Sequence, residues 1–124
     1  LPASVSVTGT VYTIPDEGAP KVSLFTKEGC TLCDKVKDIL VSVRDDFPHS
    51  LEAVDITDAD KIDWYDRYKY DIPVLHVNGQ YWTKHRISAE EAVQGMTEAK
   101  EGTFNSPSGE PDAGALELKQ AERM

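Results

Sequence analysis

The chain has 124 residues, with 13 Lys plus Arg against 22 Asp plus Glu, a net charge of −9. That length suits one domain. The acidity speaks against a surface built to read phosphates, so no nucleic-acid partner is expected, while a hydrophobic share of 40 % is enough for a core. No apolar run approaches the ~20 residues of a membrane-spanning helix, and the cysteines, Cys30 and Cys33, are too few for a disulfide-stapled scaffold.

Residues 1–20 read as an N-terminal extension, uncharged until Asp16 and closing on the turn-like Pro15-Asp16-Glu17-Gly18. The stretch lacks the basic start and apolar centre of a secretory signal. The expected location is intracellular: cytosolic or, after removal of a targeting peptide, organellar (mitochondrion or plastid). Residues 21–100 are the expected folded domain. Val22-Ser23-Leu24-Phe25-Thr26 predicts a buried strand, and Leu32, Val36, Ile39, Leu40 and Val43 then recur at helical spacing, with Pro48 ending that helix. Leu51 to Ile56 predicts a second strand. Thr57 or Asp58 is the expected N-cap of a helix carrying Ile62, Tyr65 and Tyr68 inward. Pro73 to Val77, Asn78-Gly79 and Gln80 to Thr83 predict a hairpin, because Asn-Gly tolerates positive φ at both turn positions. Ser88-Ala89-Glu90-Glu91 is a capping box opening a last helix with Ala89, Ala92, Val93 and Met96 on one face. Residues 101–124 are rich in Gly, Pro, Ser and Glu and predict a flexible C-terminal tail, free to dock on a partner protein. His49, His76 and His85 are expected on the surface or in the hairpin.

The order is β-α-β-α-β-β-α. A right-handed βαβ crossover makes the first two strands parallel, and the hairpin adds antiparallel ones. An α/β fold follows, with a four-stranded mixed sheet between helices.

The chemistry centres on C-x-x-C at the joint between strand and helix. Unpaired amides and the positive end of the helix dipole favour thiolate over thiol there. The pKa of a free cysteine, about 8.5, falls to roughly 3.5–7.5 in such settings. Cys30, nearer the helix end, is the expected nucleophile, Cys33 the resolving thiol, and Lys27 an added positive charge. Zinc would need four ligands, and none of the three histidines stands at ligand spacing, so no metal is expected.

The residues Lys27-Glu28-Gly29-Cys30-Thr31-Leu32-Cys33 and Asp71-Ile72-Pro73-Val74 resemble the glutaredoxins of the thioredoxin-fold superfamily. The C-x-L-C form, with Val54 to Thr57 and Ile-Pro-Val, looks most like a glutaredoxin-like subgroup. The resemblance spans residues 21–100. It implies a three-layer thioredoxin-like fold and a cis peptide bond before Pro73 against the cysteines. It also implies glutathione as ligand, with Lys27, Ile72 and Arg86 as contacts. The implied function is reduction of protein or glutathione mixed disulfides, with glutathione or a thioredoxin-type reductase as reductant. Two departures stand out. Thr31-Leu32 lies where dithiol glutaredoxins have Pro, and Lys84-His85-Arg86-Ile87-Ser88 lies where they carry a Gly-Gly pair opening a helix that binds a glutathione carboxylate. Lys84 or Arg86 could pair with that carboxylate instead. The competing class is a non-enzymatic interaction subunit of a larger assembly with a vestigial C-x-x-C.

Overall fold

The computed structural model describes residues 5–122. Strands β1 (Gly9–Tyr12), β2 (Lys21–Thr26), β3 (Ser50–Asp55), β4 (Val74–Val77) and β5 (Gln80–Lys84) form one sheet in the order β1-β3-β2-β4-β5. β2 and β3 are parallel, and the other pairs are antiparallel. Helices α1 (Thr31–Ser42) and α3 (Ala89–Glu101) contact one another, as do α2 (Ile62–Tyr68) and α4 (Ala113–Glu122). The result is a mixed α/β sheet sandwiched by helices, a thioredoxin-like fold, with five strands rather than the expected four.

The fifth strand comes from the N-terminal extension. Val5, Val7 and Val11 alternate with polar residues, the period of a half-exposed strand. Side chains fasten it: Asp55 accepts from the Val7 amide at 3.1 Å, and Thr8 Oγ1 accepts from the Asp55 amide at 2.7 Å. Asp58 takes the hydroxyls of Ser6 and Thr8 rather than capping a helix, so it starts the 3-10 turn at Ala59–Lys61 without a side-chain cap bond.

One core cluster joins Val22, Leu24, Leu51, Leu75 and Val77 of the sheet to Val36, Leu40, Ala92 and Met96. A second, on the other face, gathers Phe25, Ile56, Tyr68, Val74 and Tyr81. Tyr68 goes inward as expected, whereas Ile62 and Tyr65 face solvent, and so do Leu32 and Ala89 of the other helical stripes. The short α2 turns Trp64 and Tyr68 toward the sheet through ring contacts with Phe25 and His76. The hairpin turns at Asn78 (φ 50°) and Gly79 (φ 78°).

Beyond Gly102, a left-handed C-cap, residues 103–112 cross the sheet edge where a free tail was expected. Ser106 Oγ donates to the Tyr81 carbonyl at 2.7 Å, and Glu110 accepts from Tyr68 Oη at 2.7 Å. α4 then lies against α2, with Lys69 and Glu117 paired at 3.0 Å. These contacts are polar and distant in sequence, so local composition does not announce them. Among the described residues no helix is long and apolar enough to cross a membrane.

Candidate functional site

Register brings the site together. Phe25 at the end of β2 pairs with Val74 at the start of β4, and Val74 pairs with Lys84 at the end of β5. The loops leaving β2, entering β4 and leaving β5 therefore meet at one end of the sheet. Cys30, the Ile72–Pro73 peptide and the Lys84-to-Ser88 run stand on those three loops.

After β2, Gly29 takes φ 79°, a left-handed turn that glycine adopts without Cβ strain. The Cys30 amide donates back to the Lys27 carbonyl at 3.4 Å. Cys30 is the N-cap of α1, with φ −82° and ψ 101°, and its Sγ accepts the Cys33 amide at 3.2 Å. Sulfur thus occupies the place an Asp or Ser oxygen usually fills at a helix start. Cys30 and Cys33 are joined by a disulfide, their Cα atoms 5.2 Å apart. Cys33 is 2 % exposed and Cys30 half-buried, so the two sulfurs differ in access in the order that the sequence predicts. Leu32 between them is 50 % exposed.

On the loop entering β4, the Ile72–Pro73 bond is cis, as the resemblance implies. Pro73 is buried and Ile72 half-buried. Neither the amide nor the carbonyl of Ile72 has a hydrogen-bond partner among the described residues. The Pro73 carbonyl accepts the His85 amide at 2.7 Å, and His85 Nε2 lies 2.9 Å from Asp71 Oδ1. Lys84 Nζ is 4.0 Å from the same carboxylate oxygen. His85 holds φ 71°, an uncommon conformation for a side-chain-bearing residue. Ser88 then caps α3: its Oγ accepts the Glu91 amide, and Glu91 Oε1 accepts the Ser88 amide, both at 3.1 Å.

On the α1 flank, a cleft of about 350 Å³ runs past Cys33, Lys27, Gly29 and Lys37 along the Ser6-to-Val11 segment. Lys27 is exposed on the turn before Cys30, and Arg86 is exposed two residues before the α3 cap. Cys30, Cys33, Ile72 and Pro73 thus stand at the same end of the sheet, on the segments that leave β2 and enter β4, with Lys27 and Arg86 exposed on the loops beside them. Sequence reading did not pair Asp71 with His85, because the β4–β5 register brings the two together.

Of the histidines expected on the surface or in the hairpin, His76 lies in the hairpin but is buried, and His49 is in neither place: it is buried before β3. His76, on β4, lies 2.8 Å from Tyr68 Oη, whose single proton goes to Glu110; His76 Nε2 is then the donor. His49 bonds the Phe47 carbonyl through Nδ1 at 2.8 Å, and its Nε2 takes the Tyr12 hydroxyl. Burial holds both imidazoles below their ordinary pKa, with Arg44 reinforcing the effect at His49 and Glu110 opposing it at His76. Burial also pushes the Tyr12 phenol up to about 12 and that of Tyr68 higher still, with Glu110 adding to the latter.

Residues 21–95 match the family model described as glutaredoxin-like domain (DUF836). A glutaredoxin-like protein of Dictyostelium discoideum is 32 % identical over 74 residues, covering 56 % of this chain and 68 % of that relative. On that match over more than half of its length, and with a C-x-x-C pair at a helix N-terminus, the chain belongs to the glutaredoxin-like family.

Proposed function

We propose that this protein is a thiol–disulfide oxidoreductase in which Cys30 is the nucleophile and Cys33 the resolving thiol. In the reduced form the Cys30 thiolate attacks one sulfur of a substrate disulfide. The substrate S–S bond breaks, a mixed disulfide forms, and the other substrate sulfur leaves as a thiolate that takes a proton from water. Cys33, deprotonated in turn, attacks Cys30 Sγ and releases the second substrate thiol. Two electrons and two protons pass to the substrate, leaving the Cys30–Cys33 disulfide for an external thiol reductant to reopen.

The observation that carries this reading is Cys30 Sγ as acceptor of the Cys33 amide at 3.2 Å. An acceptor sulfur at the positive end of a 12-residue helix favours the ionised nucleophile. The burial of Cys33 suits it to a second, intramolecular attack rather than a first one. Lys27 adds positive charge at the mouth, and the cis-Pro73 loop supplies the facing wall.

The test is disulfide reduction with dithiothreitol as terminal reductant. Cys30→Ser is expected to fall to the uncatalysed background. Cys33→Ser is expected to accumulate a mixed disulfide on Cys30, visible by mass spectrometry under non-reducing conditions. Full turnover by Cys30→Ser would overturn the assignment.

A further inference from the structure

We infer that the site turns away glutathione and takes the disulfide of a polypeptide segment with uncharged, apolar neighbours. The inference rests on the exchange reading above and names its substrate class. Glutathione carries two carboxylates, and a site for it must supply cations or free amides at the rim. The wall formed by the β5–α3 loop and the start of α3 supplies little of either. The Glu91 amide is spent on Ser88 Oγ and the Ser88 amide on Glu91 Oε1. Glu90 and Glu91 place two carboxylates in the first helical turn, where an incoming anion would otherwise meet the dipole. Where a Gly-Gly pair would leave open backbone, the His85 side chain reaches across to Asp71 at 2.9 Å. Lys84 faces that same carboxylate, so its charge is already compensated. Arg86 makes no ion pair among the described residues, but it precedes the two acidic positions by only a few residues. The β5–α3 wall thus does not fit the carboxylates of the tripeptide, and the cations left at the rim are the exposed Lys27 and Arg86.

The remaining surroundings fit a chain. Leu32 stands half exposed between the cysteines, and Ile72 offers an unpaired amide and carbonyl beside Pro73. The neighbouring cleft of about 350 Å³ is walled on one side by the uncharged Ser6-to-Val11 segment, with Lys27, Glu28, Asp34 and Lys37 balancing in sign on the other. An extended segment can satisfy Ile72 through its own backbone and lay apolar side chains on Leu32, with no carboxylate to place.

The experiment uses the full chain with dithiothreitol and three substrates: insulin, a peptide carrying a glutathione mixed disulfide, and the same peptide carrying a 2-mercaptoethanol mixed disulfide. The last two differ in the carboxylates and not in the bond broken. Insulin is expected to be reduced with saturable kinetics. The glutathione adduct is expected to react no faster than the mercaptoethanol adduct, where a site built for glutathione would gain roughly tenfold or more for ~1.4 kcal/mol of recognition. The double variant Glu90→Gln, Glu91→Gln keeps a residue able to complete the capping box, and is expected to raise the glutathione-to-mercaptoethanol ratio several-fold. A ratio above about threefold in the unaltered chain, set against that scale, overturns the inference while leaving the oxidoreductase reading intact. An unchanged ratio in the double variant overturns the role given to the α3 wall. Failure to reduce any of the three substrates overturns the oxidoreductase reading, and the inference with it.

Discussion

Tyr68 is fully buried, yet its hydroxyl serves two partners, receiving from His76 and donating to Glu110. Replacing it by Phe leaves the ring packing in place but strands a buried imidazole N–H, while the exposed Glu110 carboxylate keeps Arg67 at 3.6 Å. The expected loss is about 1–3 kcal/mol, the usual cost of an unsatisfied buried polar group; denaturant unfolding of Tyr68→Phe checks it. Gly95 makes a complementary point about space. A Cβ built there would stand 2.6 Å from Nε1 of Trp82, a ring held in the core by β5. Gly95→Ala is therefore expected to destabilise by about 1–3 kcal/mol, the range for overpacking, although alanine favours helix more than glycine does. A midpoint at or above that of the unaltered chain would contradict the packing argument. Neither residue stands out in the sequence: Gly95 lies in an ordinary amphipathic run, and Tyr68 resembles the exposed Tyr65 and Tyr70 beside it.

At the scale of elements, those built by local signals were legible. Val22 to Thr26 is a β-branched and apolar run, Asn78-Gly79 permits the hairpin turn, and Ser88 with Glu91 closes a capping box. β1 was not legible as part of the sheet, because it is held by pairing with β3 and by side chains from residues far along the chain. Its signal was nevertheless present in the alternation of valines from Val5 to Val11. Tyr12 is the deepest residue of this strand, bonded to His49 and lying under the Arg44 guanidinium. Removing that hydroxyl loosens an edge strand that is otherwise mostly exposed. In Tyr12→Phe, amide exchange is expected to rise in 9–12 well before it rises in 21–26, because edge elements open at lower free energy than central strands. Uniform acceleration across the sheet would argue instead that β1 and the core open as one unit.

For the whole molecule, buried titratable groups set the pH range of stability. His49 and His76 sit below their ordinary value of 6.5 in the folded state because burial disfavours the imidazolium. The unfolded chain therefore binds more protons than the folded one as pH drops below about 6.5. Stability present above that pH drains away on acidification. Tyr12 and Tyr68 act at the other end. Their folded pKa values lie above the ordinary 10.0, so stability is lost as pH rises past 10 and the unfolded phenols ionise first. The denaturation midpoint is expected to be highest near neutrality and to fall on both sides. His76→Gln should flatten the acid limb, and an acid limb unchanged in that variant would remove His76 as a cause.

The amino-acid sequence by itself determined the local elements, the C-x-x-C at a helix start and the turn that follows the third strand of the expected domain. Each is encoded within a few residues, by periodicity, capping or permitted φ. Only the tertiary structure decided that residues 9–12 complete the sheet, that residues 103–122 strap and cover α2, and that His85 and Asp71 meet beside Pro73. Those outcomes depend on strand register and on polar partners 14 to 52 positions apart, and no local pattern records which donor will find which acceptor.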